Sequence, residues 1–237
     1  MRTERGRAKT PEPGRRRRSR SFRPTTTALS VLAAVLLAGV FVVQPYSIPS
    51  SSMAPTLRVG DRVLVNKLAY RFGDRPERGD VVVFDGRGSF LPADAADDGV
   101  LRGLSRRFGS ALGLSDPSDT EYVKRVVGVG GDRVRCCDGR GRLVVNGEPL
   151  TEAYLHPGDV ASAVRFDIRV PEGRLWVMGD HRSDSSDSRD HLGQPGGGTV
   201  PLGRVIGRAD WTGWPPGRWT ALSAPSRGTA PKADARG

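Results

Sequence analysis

Between Arg23 and Arg58 the chain carries no charged residue, and from Thr25 to Val43 it reads TTTALSVLAAVLLAGVFVV, 19 residues without a charge. At about 1.5 Å of rise per residue, a helix of that length just spans a hydrocarbon core of about 30 Å. Through Pro24, ten basic residues (Arg2, Arg5, Arg7, Lys9, Arg15, Arg16, Arg17, Arg18, Arg20, Arg23) oppose Glu4 and Glu12, so this tail holds +8 of the net +11. A basic block can bind nucleic acid or anionic lipid, or fix membrane topology. Beside an apolar run it predicts topology, with the N-terminal side in the cytoplasm and everything after the span outside. A cleaved secretory signal shares these features. However, the run is longer than a typical signal core and enters Gln44 and Pro45 without an Ala-x-Ala end, so an uncleaved anchor over 25–45 is expected. Residues 1–24 have the composition of a disordered tail.

Beyond the span the chain is rich in turn formers, with 31 Gly and 18 Pro in 237 residues, and only 37% is hydrophobic. Helices should therefore be few and strands short. Strand-like runs recur: RVLVNKLAY (62–70), DVVVFD (80–85), EYVKRVVGV (121–129), RLWVMGD (174–180) and GRVIGRADW (203–211). DRVRCC and RLVVNG flank Asp138-Gly139-Arg140-Gly141, a hairpin signal. In VRFDIRV, the residues Val164, Phe166, Ile168 and Val170 alternate with polar ones, as in a half-buried strand. The stretch 85–120 reads as a variable insertion with one modest amphipathic piece, LRGLSRRFGSALGL. Residues 212–237 read as a Trp-, Pro- and Gly-rich tail. The expected class is mainly β.

Several large enzyme classes lack their usual mark here. There is no Gly-x-Ser-x-Gly elbow, no His-Glu-x-x-His and no P-loop. The phrase GVGGD (128–132) lies between strands and reads as a turn. Of the three histidines, His181 and His191 share an Asp-rich loop, where a Ser-His-Asp or metal site is conceivable and a plain loop is the expectation. Asp180, Asp184, Asp187 and Asp190 lack calcium-loop spacing. Cys136 and Cys137 are adjacent and fit no zinc pattern. Neighbouring cysteines bridge only through a strained backbone, so free thiols come first, with a vicinal or intermolecular bridge as the alternative.

One ordered string stands out in IPSSSMAPTLRVGDRVLVNK (48–67): Ser52-Met53-x-Pro55-Thr56-Leu57, then Gly60-Asp61, then Asn66-Lys67. A second is Tyr122-Val123-Lys124-Arg125-Val126-Val127-Gly128 followed by Gly131-Asp132, and a third runs from Gly179 to Arg189. In these three strings, in this order and framing most of 45–210, the sequence closely resembles the type I signal peptidase family. The resemblance implies a family-like fold of antiparallel β-sheets with a small hairpin insertion behind one N-terminal transmembrane helix, with the peptidase domain over 46–211. It implies a membrane-bound serine endopeptidase that removes signal peptides from secretory preproteins after Ala-x-Ala-like sites. No cofactor, no metal and no nucleic acid are implied, and a monomer in the membrane is expected.

The same resemblance assigns roles by position. Ser52 is the nucleophile and Lys124 the general base; Ser50 and the backbone N–H of Ser52 form the oxyanion hole. Ser185 orients the lysine amine, while Asp180, Arg125, Asp187 and Arg189 support the site. Elementary chemistry agrees with the pairing, because a serine hydroxyl needs an adjacent base and lysine serves once burial lowers its pKa. On a strand, Lys124 shares a face with Tyr122 and Val126, a desolvating setting. Met53 is expected near the membrane or the substrate groove. His181, Ser183 and Asp184 depart from the family's commonest third string, Gly-Asp-Asn-Arg-Asp-Asn-Ser. Two rivals stand beside this reading. A LexA-type self-cleaving repressor should carry a helix-turn-helix in place of the apolar run, and an anchored binding module would leave the three strings unexplained.

Overall fold

The computed structural model describes residues 28–29, 42–92 and 120–222. The chain divides into two units, residues 1–37 and 38–237, and the architecture belongs to the second. Most of the expected span lies outside the described residues, among which no helix is long and apolar enough to cross a membrane. The last residues of that span, Val43 to Pro45, are strand: β1 is Val43–Ser47.

β1 pairs with β2 (Arg62–Asn66), and Pro45 faces Leu64. Proline has no N–H to give a ladder, and it is tolerated here because β1 is an edge strand. Next come β3 (Val81–Asp85) and β4 (Glu121–Val129), then β5 (Arg133–Cys136) and β6 (Leu143–Val145). The short β7 (Glu148–Pro149), then β8 (Phe166–Arg169) and β9 (Arg174–Met178) follow. β10 (Val200–Pro201), β11 (Val205–Trp214) and β12 (Thr220–Ala221) complete the order.

Among the described residues these strands make two antiparallel sheets. The larger has the order β1-β2-β11-β3-β4-β9-β10 with β12 on β11, and the smaller has the order β7-β6-β5-β8. The turn from Gly130 to Asp132 carries the chain from β4 into β5 and so from one sheet to the other. Asp132 fixes that turn by accepting from the Val129 N–H at 2.8 Å, Arg78 Nε at 2.9 Å and Asn146 Nδ2 at 2.7 Å. Every β4 residue from Lys124 to Gly128 is buried, so this strand is covered on both faces. Its register sets Lys124 against Val82 and Arg125 against Val81 on one side, and Arg125 against Met178 on the other.

Three apolar clusters make the core. The first gathers Tyr46, Ile48, Met53, Leu57, Val63, Val65, Val81 and Val83. The second lies over the small sheet around Trp176, Leu143, Val134 and Phe166. In the third, Phe84, Phe90, Val126 and Val177 meet Tyr122. Phe90 sits in the tight turn after β3, the described start of the 85–120 insertion; the amphipathic piece at 101–114 lies outside the described residues.

The expected hairpin at 138–141 forms. The Asp138 N–H donates to Arg142 O at 2.9 Å, and the Asp138 carboxylate accepts from the Arg140 and Arg142 N–H groups. Gly141 takes φ +77°, a conformation that glycine adopts without steric cost. Of the alternating series, Phe166 and Val170 are buried, whereas Val164 is exposed and precedes β8. Cys136 and Cys137 are bridged to each other, which replaces the free thiols expected first. The expected boundary at 211 falls inside β11, because Thr212 and Trp214 go on pairing with β2. Trp211, Trp214 and Trp219 stand exposed around this end of the sheet.

Candidate active site

The turn between β1 and β2 holds Ser52. Its closure is local, with Ile48 N–H donating to Asp61 O at 2.9 Å, Gly60 N–H to Ile48 O at 2.9 Å and Leu57 N–H to Met53 O at 2.8 Å. Its anchorage is apolar: Met53 is 1% exposed and Leu57 is fully buried. Burying such a side chain contributes about 1.5–3 kcal/mol, so these two pin the turn to the core below. Met53 is thus a core residue, not a groove or membrane contact as expected. An unbranched thioether fits the irregular space under a turn.

Lys124 reaches this turn from β4. Its Nζ stands 2.7 Å from Ser52 Oγ. The residue is 4% exposed. Burial lowers its pKa from 10.5 to about 8, against the opposing pull of the Asp187 and Asp180 carboxylates. Tyr122 and Val126, the alternate residues on either side along the strand, join the third apolar cluster. A neutral amine is therefore within reach near neutral pH. Ser50 Oγ lies 3.1 Å from Ser52 Oγ, so a second hydroxyl borders the reacting atom.

The third string clamps the nucleophile turn. The His181 N–H donates to Ser52 O at 3.1 Å, and Thr56 Oγ1 donates to Asp180 Oδ2 at 2.5 Å. Ser51 Oγ donates to Asp184. Gly179 lies where no side chain fits: a Cβ there would collide with Ser185 Oγ and come within 2.5 Å of Ser52 O. Ser185 therefore borders the dyad. Its hydroxyl donates to Asp187 Oδ2 at 2.9 Å, and among the described contacts the lysine amine has Ser52, not Ser185, as its partner. A carboxylate is the stronger acceptor for that hydroxyl.

Two buried ion pairs brace these elements. Arg125 donates to Asp180 through Nε at 2.7 Å and Nη2 at 2.6 Å, and through Nη1 to Gly79 O at 2.8 Å. Its guanidinium lies 4.1 Å from the centre of the Tyr154 ring. Arg189 grips Asp187 with Nε and Nη2, both at 2.8 Å, while the Gly179 N–H donates to the same carboxylate at 3.0 Å. Although burial raises the Asp187 pKa, these donors hold it below the ordinary carboxylate range, so Asp187 is an anion facing the dyad.

Arg182 closes the loop from within. It donates to Gly179 O at 3.0 Å and Ala161 O at 2.5 Å, and pairs with buried Glu152. Sequence reasoning assigned no role to Thr56 or Arg182, although both lie inside the quoted strings, and the segment holding Glu152 and Tyr154 carries no pattern that could have pointed to them. The two histidines of the Asp-rich loop do not form a pair. His181 stacks on His156 at 3.9 Å between centroids, and His191 stacks on Phe90 at 4.4 Å.

A buried amine on a serine hydroxyl, with no histidine between them, is an arrangement suited to acyl transfer. Several known proteins are similar to this chain. The family model described as "Signal peptidase, peptidase S26" matches residues 22–214. A probable signal peptidase I of Mycobacterium leprae is 41% identical over 213 residues, which cover 78% of this chain and 73% of that protein. A signal peptidase I of Mycobacterium tuberculosis is 41% identical over 231 residues, covering 88% and 77%. A solved signal peptidase I of Enterococcus faecalis aligns over 57% of this chain and 97% of its own, at 23% identity and a TM-score of 0.35.

Proposed function

The chain belongs to the signal peptidase family, peptidase S26, and on that footing we propose that it is a membrane-bound type I signal peptidase working through Ser52 and Lys124. One observation carries the mechanism: the buried Lys124 amine, with its pKa lowered to about 8, lies 2.7 Å from the Ser52 hydroxyl.

In the proposed reaction Ser52 Oγ attacks the carbonyl carbon of the scissile bond while Lys124 Nζ takes the hydroxyl proton. Charge gathers on the carbonyl oxygen, and the Ser52 N–H and the Ser50 hydroxyl are the donors for it. The Lys124 ammonium then returns the proton to the departing amine, leaving an acyl ester on Ser52. Water, deprotonated by the same amine, clears the ester. Arg125, Asp180, Asp187 and Arg189 act by holding strand and loop in register. Ser185 acts on the lysine through Asp187, the carboxylate that both of them face.

The substrate is the signal peptide of a secretory preprotein, cut after a small residue in an Ala-x-Ala-like context. The apolar run ending near Val42 is the anchor, with the basic tail inside the cell and the peptidase domain outside, where signal peptides leave the bilayer. Purified full-length chain in detergent should cleave a model preprotein at its signal junction. Ser52→Ala and Lys124→Ala should each reduce the rate by on the order of 10^4-fold or more, with unfolding curves still cooperative. Near-normal turnover by either variant would remove the mechanism.

A further inference from the structure

We propose that His156, Asp159 and His181 form a binding site for one first-row divalent cation, best matched by Zn2+, beside the nucleophile turn. Each residue offers one ligand atom, and the three atoms lie within 4.8 Å of one another. Two imidazole nitrogens and one carboxylate suit a borderline-soft ion in tetrahedral geometry, with the fourth position left to water.

The backbone builds the cluster. A tight turn brings two of the residues together, the Asp159 N–H donating to His156 O at 3.0 Å. The third arrives from the loop after β9, where the His156 N–H donates to Asp180 O at 2.9 Å, one residue before His181. Ser183 then orients the carboxylate, its Oγ donating to Asp159 Oδ1 at 2.7 Å and its N–H to Oδ2 at 3.2 Å. Such an outer hold on a ligand carboxylate is what metal sites use to fix their donors. Among the described residues no arginine or lysine pairs with Asp159, so its charge is not already spent on a side-chain cation.

His181 supplies a second, independent sign. Its Nδ1 is shielded from solvent yet has no hydrogen-bond partner. The Asp184 carboxylate is 3.9 Å away, beyond hydrogen-bond reach. In the tautomer protonated at Nε2, that nitrogen presents an unpaired lone pair to a cation. The two rings lie nearly parallel, 3.9 Å apart and tilted by 14°. An ion must lie in the plane of each ring it binds, so occupancy turns one ring out of the stack. Both side chains are only part-buried.

The site stands apart from the serine–lysine reading, and its test needs no turnover. Tag-free, chelator-stripped full-length protein in detergent is titrated with ZnCl2 by calorimetry, and with Co2+ followed by visible absorption. The expected result is one saturable Zn2+ per chain and a tetrahedral Co2+ spectrum. His156→Ala and Asp159→Ala should each weaken binding by more than ~100-fold, and Ser183→Ala by roughly 10-fold. Affinity should be lower in acid, where protons compete with the ion for its ligands. The chain has three histidines, so His191→Ala serves as the control and should bind like the parent. Absence of saturable binding, or equal affinity in parent and His156→Ala with both folded by circular dichroism, overturns the proposal.

Discussion

Lys124 destabilises the fold in the protonation state that an ordinary lysine holds at neutral pH. With its pKa lowered from 10.5 to about 8, the folded and unfolded chains both carry the charge below pH 8, and the full burial penalty of roughly 3 kcal/mol applies there. Between 8 and 10.5 the folded chain has lost the proton and the unfolded chain has kept it, so stability rises with pH and the penalty has gone above 10.5. Lys124→Met should therefore melt at a higher temperature than the parent below pH 8, by an amount that shrinks towards pH 10.5, and should be inactive. Equal melting at all pH values would mean that the amine is solvated. Turnover by the parent should rise through about pH 8 as the base form appears. Gly179→Ala probes the same locus by shape. Its Cβ has no room between Ser185 and Ser52 O, and a dyad displaced by about 1 Å loses roughly 10^2-fold in rate. A rate within a factor of two of the parent would show that the loop yields. At this scale the sequence made Ser52 and Lys124 legible, because each sits in an ordered string. Met53 was misjudged in its contacts, since a buried thioether depends on neighbours brought in from distant segments, whereas the Ser185 hydroxyl turns to Asp187, two residues along the same loop.

The elements divide in the same way. β4 has the bounds expected from its pattern, Glu121–Val129, and the hairpin at 138–141 follows from local turn chemistry. Which strands lie side by side was not legible, because period-2 patterns fix a face and leave the neighbour open. The pair between Arg125 on β4 and Asp180 after β9 shows what that pairing contributes. Their side chains are 4% and 0% exposed. Removing one partner leaves a buried charge unpaired, at a cost of about 3–5 kcal/mol. Asp180→Ala should lower the denaturation free energy by that amount, and Arg125→Met added to it should recover part of the loss. A double variant less stable than Asp180→Ala would mean that Arg125 is held mainly by Gly79 O and Tyr154. The Cys136–Cys137 bridge belongs to this scale too: adjacency alone argued for free thiols, and the two sulfurs are bonded to each other at the end of β5.

Over the whole molecule, charge asymmetry and the apolar run predict a protein that partitions with membranes. Full-length chain should sediment with the membrane fraction and resist alkaline washing, and in intact spheroplasts external protease should digest the domain while sparing the basic tail. Release by the wash would mean that no helix crosses. Inside the domain, β11 lies between β2 and β3 in the large sheet. The hydroxyl hangs from the β1–β2 side and the amine from the β3–β4 side, and within the sheet β11 is the strand that joins those halves. Such long-range closure is slow. A chain cut short before Val205 should therefore hold both Ser52 and Lys124 and yet cleave nothing, because the strand that sets the two halves of the sheet beside each other is missing.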